Sequence, residues 1–169
     1  PSLIDFEYGG DGTPARIVSR ETGEEARPVR KAIYSLGADL GPVRPVVPNM
    51  RIIHDRLAIE IKRGCSRGCR FCSAGMIARP VRERTPDQIL DIARQGLART
   101  GFDEISLLSL SSADYSCILP AVRMLRREFA RDRVSISLPS LRVNAFDVEL
   151  AGEIAQVRKS GLTFAPEAG

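Results

Sequence analysis

The sequence predicts an α/β chain built from parallel βα units. Three observations carry that expectation. Short apolar runs recur at residues 57–61, 104–110, 134–138 and 162–165. Apolar residues at helical spacing fill each interval, and cap or terminator residues stand where those helices should begin and end. Near-continuous apolar strands separated by helices belong to parallel sheets with crossover connections.

Residues 1–53 stand apart in composition and are expected to be a linker or small β appendage to an absent upstream domain. Pro14, Pro28, Pro42, Pro45 and Pro48 are spread through them, with Gly9, Gly10, Gly12, Gly23, Gly37 and Gly41. Ala15–Ser19 and Val29–Ile33 flank Glu21-Thr22-Gly23-Glu24-Glu25, which predicts a hairpin with a loose turn. Gly9-Gly10-Asp11-Gly12 lacks the following helix and Lys-Ser/Thr pair of a phosphate loop and reads as a turn.

Residues 54–169 carry the βα series. Leu57–Ile61 is the first strand and delivers the chain into a cysteine-rich loop. Thr85-Pro86-Asp87-Gln88 opens a helix: Thr85 can cap, Pro86 suits the first helical position and Gln88 closes a capping box. Ile89, Ile92, Ala93 and Leu97 follow at helical spacing, and Gly101 ends the element. Glu104–Leu110 is the second strand. Ile118, Val122, Leu125 and Phe129 line the next helix, with Pro120 in its first turn. Val134–Leu138 is the third strand, stopping near Pro139. Asp147 caps a helix whose Leu150, Ile154 and Val157 face inward, Gly161 ends it, and Leu162–Ala165 is the fourth strand.

Composition narrows the classes. Twenty-five Lys and Arg against 21 Asp and Glu give a net charge of +4, too mild alone to argue for nucleic acid. No apolar run reaches a membrane-spanning length and no signal peptide opens the chain. The 4 cysteines, 3 of them clustered, read as metal ligands in a reducing, cytoplasmic setting and not as a disulfide framework. The chain starts without methionine and stops just after a strand, so it is expected to be a piece of a longer protein.

The chemistry concentrates in Arg63-Gly64-Cys65-Ser66-Arg67-Gly68-Cys69-Arg70-Phe71-Cys72. Three thiolates at a CxxxCxxC spacing can hold three corners of a 4Fe–4S cluster. The fourth iron then stays open, as the fourth position does in catalytic zinc sites. The rival reading is a structural zinc or iron–sulfur module without catalysis, for example a Cys₃His zinc site completed by His54, the one histidine. Cys117 stands alone after the second strand and reads first as a small buried hydrophobe, with a fourth-ligand role behind it.

Cys65, Cys69, Phe71 and Cys72 together reproduce the CxxxCxΦC signature, Φ being aromatic, and on these residues the chain resembles the radical S-adenosylmethionine (SAM) superfamily. Arg-Gly-Cys at the first cysteine, Ala74-Gly75-Met76-Ile77, Arg79-Pro80-Val81-Arg82-Glu83-Arg84, Leu107–Ser112 and Phe164–Gly169 extend the match. They resemble a largely uncharacterised bacterial subgroup with an elongator-protein/MiaB/NifB-type core, often fused to a cobalamin-binding-like domain.

The resemblance implies the first four strands of a partial (β/α) barrel with two strands missing. It implies SAM chelated to the open iron and reductively cleaved to methionine and a 5′-deoxyadenosyl radical, with the substrate unread. It also implies an electron donor of flavodoxin or ferredoxin type, and cobalamin as a cofactor through an absent domain. Methylation or modification of tRNA or a small molecule fits relatives of this kind. Thiomethylation normally needs a second cluster, for which this chain has no cysteines. An isolated fragment would leave the SAM pocket open and could be inactive.

Chemistry in parallel α/β folds gathers at the carboxyl ends of the strands, which selects the other candidates. Phe71 would lie near the adenine of SAM. Ser111, Ser112 and Asp114 stand where many relatives carry a Gly-Gly-Glu motif for the SAM amino group. Arg142 could pair with the SAM carboxylate through a bidentate contact. Glu167 would face the ribose or amino group. Helix capping is the plainer reading for Ser112, Asp114 and Asn144. Arg63, Arg67, Arg70, Arg79, Arg82 and Arg84 crowd the cysteines. They are read first as cluster electrostatics or a docking face for the missing strands, and only distantly as an RNA contact.

Overall fold

A computed structural model describes residues 4–25, 31–37, 41, 43–50, 52–143, 147–155, 162 and 164–166. The chain divides into two compact units, Pro1–Tyr34 and Ser35–Gly169.

The first unit is an antiparallel hairpin of β1 (Ile4–Tyr8) and β2 (Pro14–Ser19), in register Phe6↔Ile17 with a bulge at Glu7/Tyr8. Its turn is Gly9–Thr13, closed by Asp11, whose carboxylate accepts from the Thr13 amide at 3.0 Å and hydroxyl at 2.7 Å. This corrects the expected pairing. Ala15–Ser19 is a strand, but its partner is Ile4–Tyr8, and residues 31–33 form no strand; Val29 and Arg30 lie outside the described residues. The apolar alternation of Ile4, Phe6 and Tyr8 supplied a closer partner across a glycine-rich turn.

In the second unit, β3 (Leu57–Glu60) is followed by the short β4 (Lys62–Arg63), α1 (Ala74–Ile77) and β5 (Arg82–Glu83). Next come α2 (Pro86–Thr100), β6 (Glu104–Leu108), α3 (Ile118–Glu128), β7 (Ser135–Ser137) and β8 (Leu141–Arg142). The series closes with α4 (Val148–Ala155) and β9 (Phe164–Ala165). Strands β3, β6 and β7 form a parallel sheet in that order, with helices between successive strands. The α/β class and its parallel order are those the sequence predicts.

Helix α2 forms for the reason its sequence states. Thr85 accepts from the Gln88 amide while the Gln88 side chain accepts from the Thr85 amide, Pro86 opens the first turn, and Gly101 closes the helix at φ 70°. One face of the sheet carries Leu57, Ile59, Ile105, Leu107 and Ile136, all buried and aligned by register; they pack with Ile89, Ala93, Val122 and Leu125. The other face carries Ala58, Glu60, Ser106, Leu108, Ser135 and Ser137. The strands therefore alternate more than the near-continuous apolar reading implies.

The third strand breaks. Pro139 has no amide for the ladder, Ser140 turns through φ 59°, and β8 restarts the chain. The fourth strand pairs in parallel with β8, Leu141↔Phe164 and Arg142↔Ala165, and not with β7. Asp147 accepts from the Glu149 amide at 3.0 Å at the start of α4, whose Leu150 and Ile154 are buried. Val157 and Gly161 lie outside the described residues.

Two substitutions probe this architecture. Thr85→Ala removes one half of the capping box and should lower stability by about 1 kcal/mol. Ile105→Ala empties a fully buried position and should cost about 3 kcal/mol. Urea unfolding read by circular dichroism gives both values, and equal costs would contradict the placement of Ile105 at the centre of the core.

Candidate metal centre

The cysteine loop leaves the sheet after β4 and returns to it at β5. Lys62↔Glu83 and Arg63↔Arg82 pair antiparallel at its base. The base is itself fixed to the sheet, because the Ile61 amide donates to Leu108 O and the Arg84 amide to Ile61 O, both at 2.9 Å. Gly64, the first residue of the loop, has φ 91°, and a Cβ there would stand 2.3 Å from the carbonyl oxygen of Ala78. Only glycine fits a left-handed backbone at that approach. The loop therefore begins with a residue chosen by sterics, one position before the first cysteine.

Cys65, Cys69 and Cys72 stand on this loop without disulfide bonds, the first two half-buried and Cys72 exposed. The Cys72 amide donates to Cys69 O at 3.0 Å, a turn that keeps the last two together, and the Arg67 amide donates to Cys65 Sγ at 3.4 Å. Among the described residues no three His, Cys, Asp or Glu side chains converge to hold a single metal ion. His54 is exposed, with Nδ1 2.7 Å from the Arg56 guanidinium. The donor set suits a cluster: in a cubane each thiolate binds a different iron, so the three sulfurs need not crowd about one point. Ligand convergence on metal binding is also the rule for such sites.

A second segment faces the loop. After β6 the chain makes a single 3₁₀ turn at Ser112–Asp114. Asp114 receives a two-point contact from Arg67, Nε to Oδ2 at 3.1 Å and Nη2 to Oδ1 at 2.5 Å, and its Oδ2 also accepts from Ser111 Oγ at 2.8 Å. The hydrogen bonds and charge of Arg67, with Ser111 and Lys62 adding, outweigh burial and hold the Asp114 carboxyl down at about 2. The same contact raises the Arg67 guanidinium further. Ser112 is fully buried, and its hydroxyl donates to Pro139 O at 2.8 Å and Leu107 O at 3.1 Å. It joins the end of β6 to the break after β7. Neither Ser112 nor Asp114 caps α3, whose N-terminal position is Cys117, without a side-chain cap.

The remaining candidates divide. Phe71 is exposed beside the thiols, at 68 % of its surface. Arg142 lies in β8 with a buried Nε that has no hydrogen-bond partner among the described residues. Glu167 and Asn144 lie outside the described residues. Cys117 is free and partly buried, packed against the core as a small hydrophobe would be.

Sequence reasoning missed Lys62 and Tyr115, and read Arg84 only as one of the arginines around the cysteines. Lys62 is buried to 3 % and donates to Asp114 O at 2.8 Å; Arg84 Nε donates to Glu60 O at 3.0 Å; Tyr115 donates to Arg84 O at 2.8 Å. Burial, with Cys117 and Glu83 nearby, raises the Tyr115 phenol, so it acts as a fixed donor. Only the position of Lys62, directly after a buried strand, signals any of this.

Between the loop and the carboxyl ends of β3 and β6 lies a cavity of about 480 Å³, walled by Gly64, Ala78, Leu108, Ser109 and Leu110. Its exposed lining is largely apolar, although Glu60, Lys62 and Arg63 also border it. Two cavities of about 440 and 490 Å³ lie at the opposite end of β6, around Phe102 and Asp103.

The description "Radical SAM superfamily" matches residues 59–169. Over 182 aligned residues the chain is 28% identical to an uncharacterised protein of Methanocaldococcus jannaschii, covering 99% of this chain and 38% of that protein. It is 26% identical over 119 residues to a tRNA-2-methylthio-N(6)-dimethylallyladenosine synthase of Staphylococcus epidermidis (70% of this chain, 23% of the enzyme). Against the ribosomal protein uS12 methylthiotransferase RimO of Prochlorococcus marinus it is 29% identical over 157 residues (90% and 32%). The chain thus spans well under half the length of the curated relatives it matches.

Two outcomes follow from this geometry. Gly64→Ala should destabilise the protein by at least about 2 kcal/mol and reduce iron uptake on reconstitution, read by urea unfolding and iron assay; an unchanged protein would contradict the loop geometry. Asp114 has a depressed folded pKa, so the stability it adds is present above its ordinary value of 3.8 and is lost as pH falls through about 2. Asp114→Asn should remove that part of the acid-induced loss, compared by circular dichroism between about pH 4 and pH 2.

Proposed function

The chain belongs to the radical SAM superfamily, and on that premise we propose that Cys65, Cys69 and Cys72 hold a 4Fe–4S cluster whose open iron binds SAM. The observation that carries this reading is the loop itself: three cysteines without disulfides at the family spacing, fixed at its base to the carboxyl end of the sheet. When bound, the cluster and SAM would supply a 5′-deoxyadenosyl radical for hydrogen abstraction.

The chain's own residues have definable tasks. Arg142 presents a buried donor without a protein partner among the described residues, suited to a carboxylate such as that of SAM. The cavity beside Leu108 and Leu110 has room for a flat apolar moiety. Phe71, exposed next to Cys72, is placed to cover an adenine by stacking. Asp114 meets the loop through Arg67 and is braced by Ser111, while Ser112 holds the turn from beneath by its bonds to Leu107 O and Pro139 O. Glu167 is retained as a candidate from the sequence alone.

An electron donor of flavodoxin or ferredoxin type would deliver the reducing electron at the exposed side of the loop. Two of the relatives are named as a tRNA methylthio synthase and a ribosomal-protein methylthiotransferase. Those names support modification of an unreactive position, without specifying a substrate for this chain. The cobalamin expectation has no support in the family match or in the relatives' names. No helix of the described residues is long and apolar enough to cross a membrane.

Anaerobic reconstitution with iron and sulfide, followed by EPR of the reduced protein with and without SAM, tests the proposal. A 4Fe–4S signal that changes on adding SAM is expected, and Arg142→Ala should weaken SAM binding at least tenfold with cluster content unchanged. Zinc bound tightly by the three cysteines, with no cluster formed in the full-length protein, would sink the proposal in favour of a structural module.

A further inference from the structure

We infer that Arg67 is a positioning residue for the cluster: anchored by Asp114, it fixes the middle of the cysteine loop and holds a compensated positive charge against the thiolates of Cys65 and Cys69. The inference rests on the cluster reading above and concerns what this chain does to that site.

Arg67 is held at three points. Its amide donates to Cys65 Sγ at 3.4 Å. Its carbonyl oxygen seats directly on Gly75 of α1, where a Cβ would stand only 2.2 Å away. Its guanidinium makes the two-point contact with Asp114. Asp114 is fixed in turn by the Ser111 hydroxyl and, through its carbonyl, by the buried Lys62 ammonium, each at 2.8 Å. A residue between two cysteines is thereby bolted to the sheet through the turn after β6.

The exposure of the two partners shows what the contact is for. The Asp114 side chain is 12% exposed and that of Arg67 is 45%. A pair open to water on one side contributes little to stability, about 1 kcal/mol or less. A planar, two-point contact does fix orientation. The contacts are also ordered: the Asp114 carboxylate meets the loop through the Arg67 guanidinium, and Arg67 stands two residues from both Cys65 and Cys69 with its amide on Cys65 Sγ. A cation beside an iron–sulfur cluster favours its reduced form, since charge and hydrogen bonds to the sulfurs set its potential. Asp114 moderates that effect.

The ordering makes a prediction of sign that loop damage does not. Arg67→Met leaves Asp114 uncompensated and should lower the midpoint potential of the cluster. Asp114→Asn removes the opposing charge and should raise it. Each shift should reach about tenfold in the reduction equilibrium, or about 60 mV for a one-electron couple. Arg67→Lys keeps the charge without the fork and should fall between wild type and Arg67→Met.

The measurement is an EPR-monitored redox titration of the reconstituted full-length protein and the three variants, with circular dichroism to confirm folding. Opposite shifts in Arg67→Met and Asp114→Asn establish the inference. Shifts of one sign in both, or none, with a wild-type cluster still responsive to SAM, overturn it alone. A wild-type protein that takes up no cluster overturns the functional reading, and this inference with it.

Discussion

The excursion between Arg63 and Arg82 depends on the two-residue ladder that closes it. A loop bearing three thiols has high conformational entropy, and ordering it costs roughly 1–2 kcal/mol per residue. Lys62↔Glu83 and Arg63↔Arg82, the amide of Arg84 on Ile61 and the steric demand at Gly64 recover part of that cost before any ligand binds. Because Ile61 also donates to Leu108, the ladder ties the loop to the centre of the parallel sheet. The Asp114 turn, which follows Leu108, meets the loop at Arg67 for this reason.

The arginines around the cysteines act in the structure chiefly as internal braces. Arg63 forks onto Glu60, Arg67 onto Asp114, Arg79 reaches Ser66 O, Arg82 reaches Pro80 O and Arg84 reaches Glu60 O. Guanidiniums so engaged tie separate stretches of the loop to one another and to the end of the sheet. Phe71, Met76 and Ile77 add exposed apolar surface to the same loop.

Much of the fold was legible because local chemistry and tertiary packing agree. The capping box at Thr85 and Gln88, the stop at Gly101 and the break at Pro139 act through backbone donors and dihedrals that a sequence displays directly. The hairpin was harder: Ala15–Ser19 had two neighbours of similar apolar character, and the choice between them turned on which loop could close. In the site, spacing marks the three cysteines and the residue type marks Arg142. The bracing of Asp114 by Arg67, Ser111 and Lys62 was not legible. It depends on side chains from three separated segments meeting in space, and nothing in any one segment names its partner in another.

Arg142 shows why a site of this kind is organised before it is filled. Burying a donor without a partner costs about 1–3 kcal/mol, and the Nε of Arg142 is buried in that way among the described residues. The break at Pro139 and Ser140 forces the restart that places Arg142 in β8, paired with Ala165 of the fourth strand. Ser112 reinforces the break by donating to Pro139 O. On the proposed reading this donor, in a strand that exists because its predecessor was interrupted, is the one that would meet the SAM carboxylate. An anionic ligand at that position would recover the desolvation cost on binding.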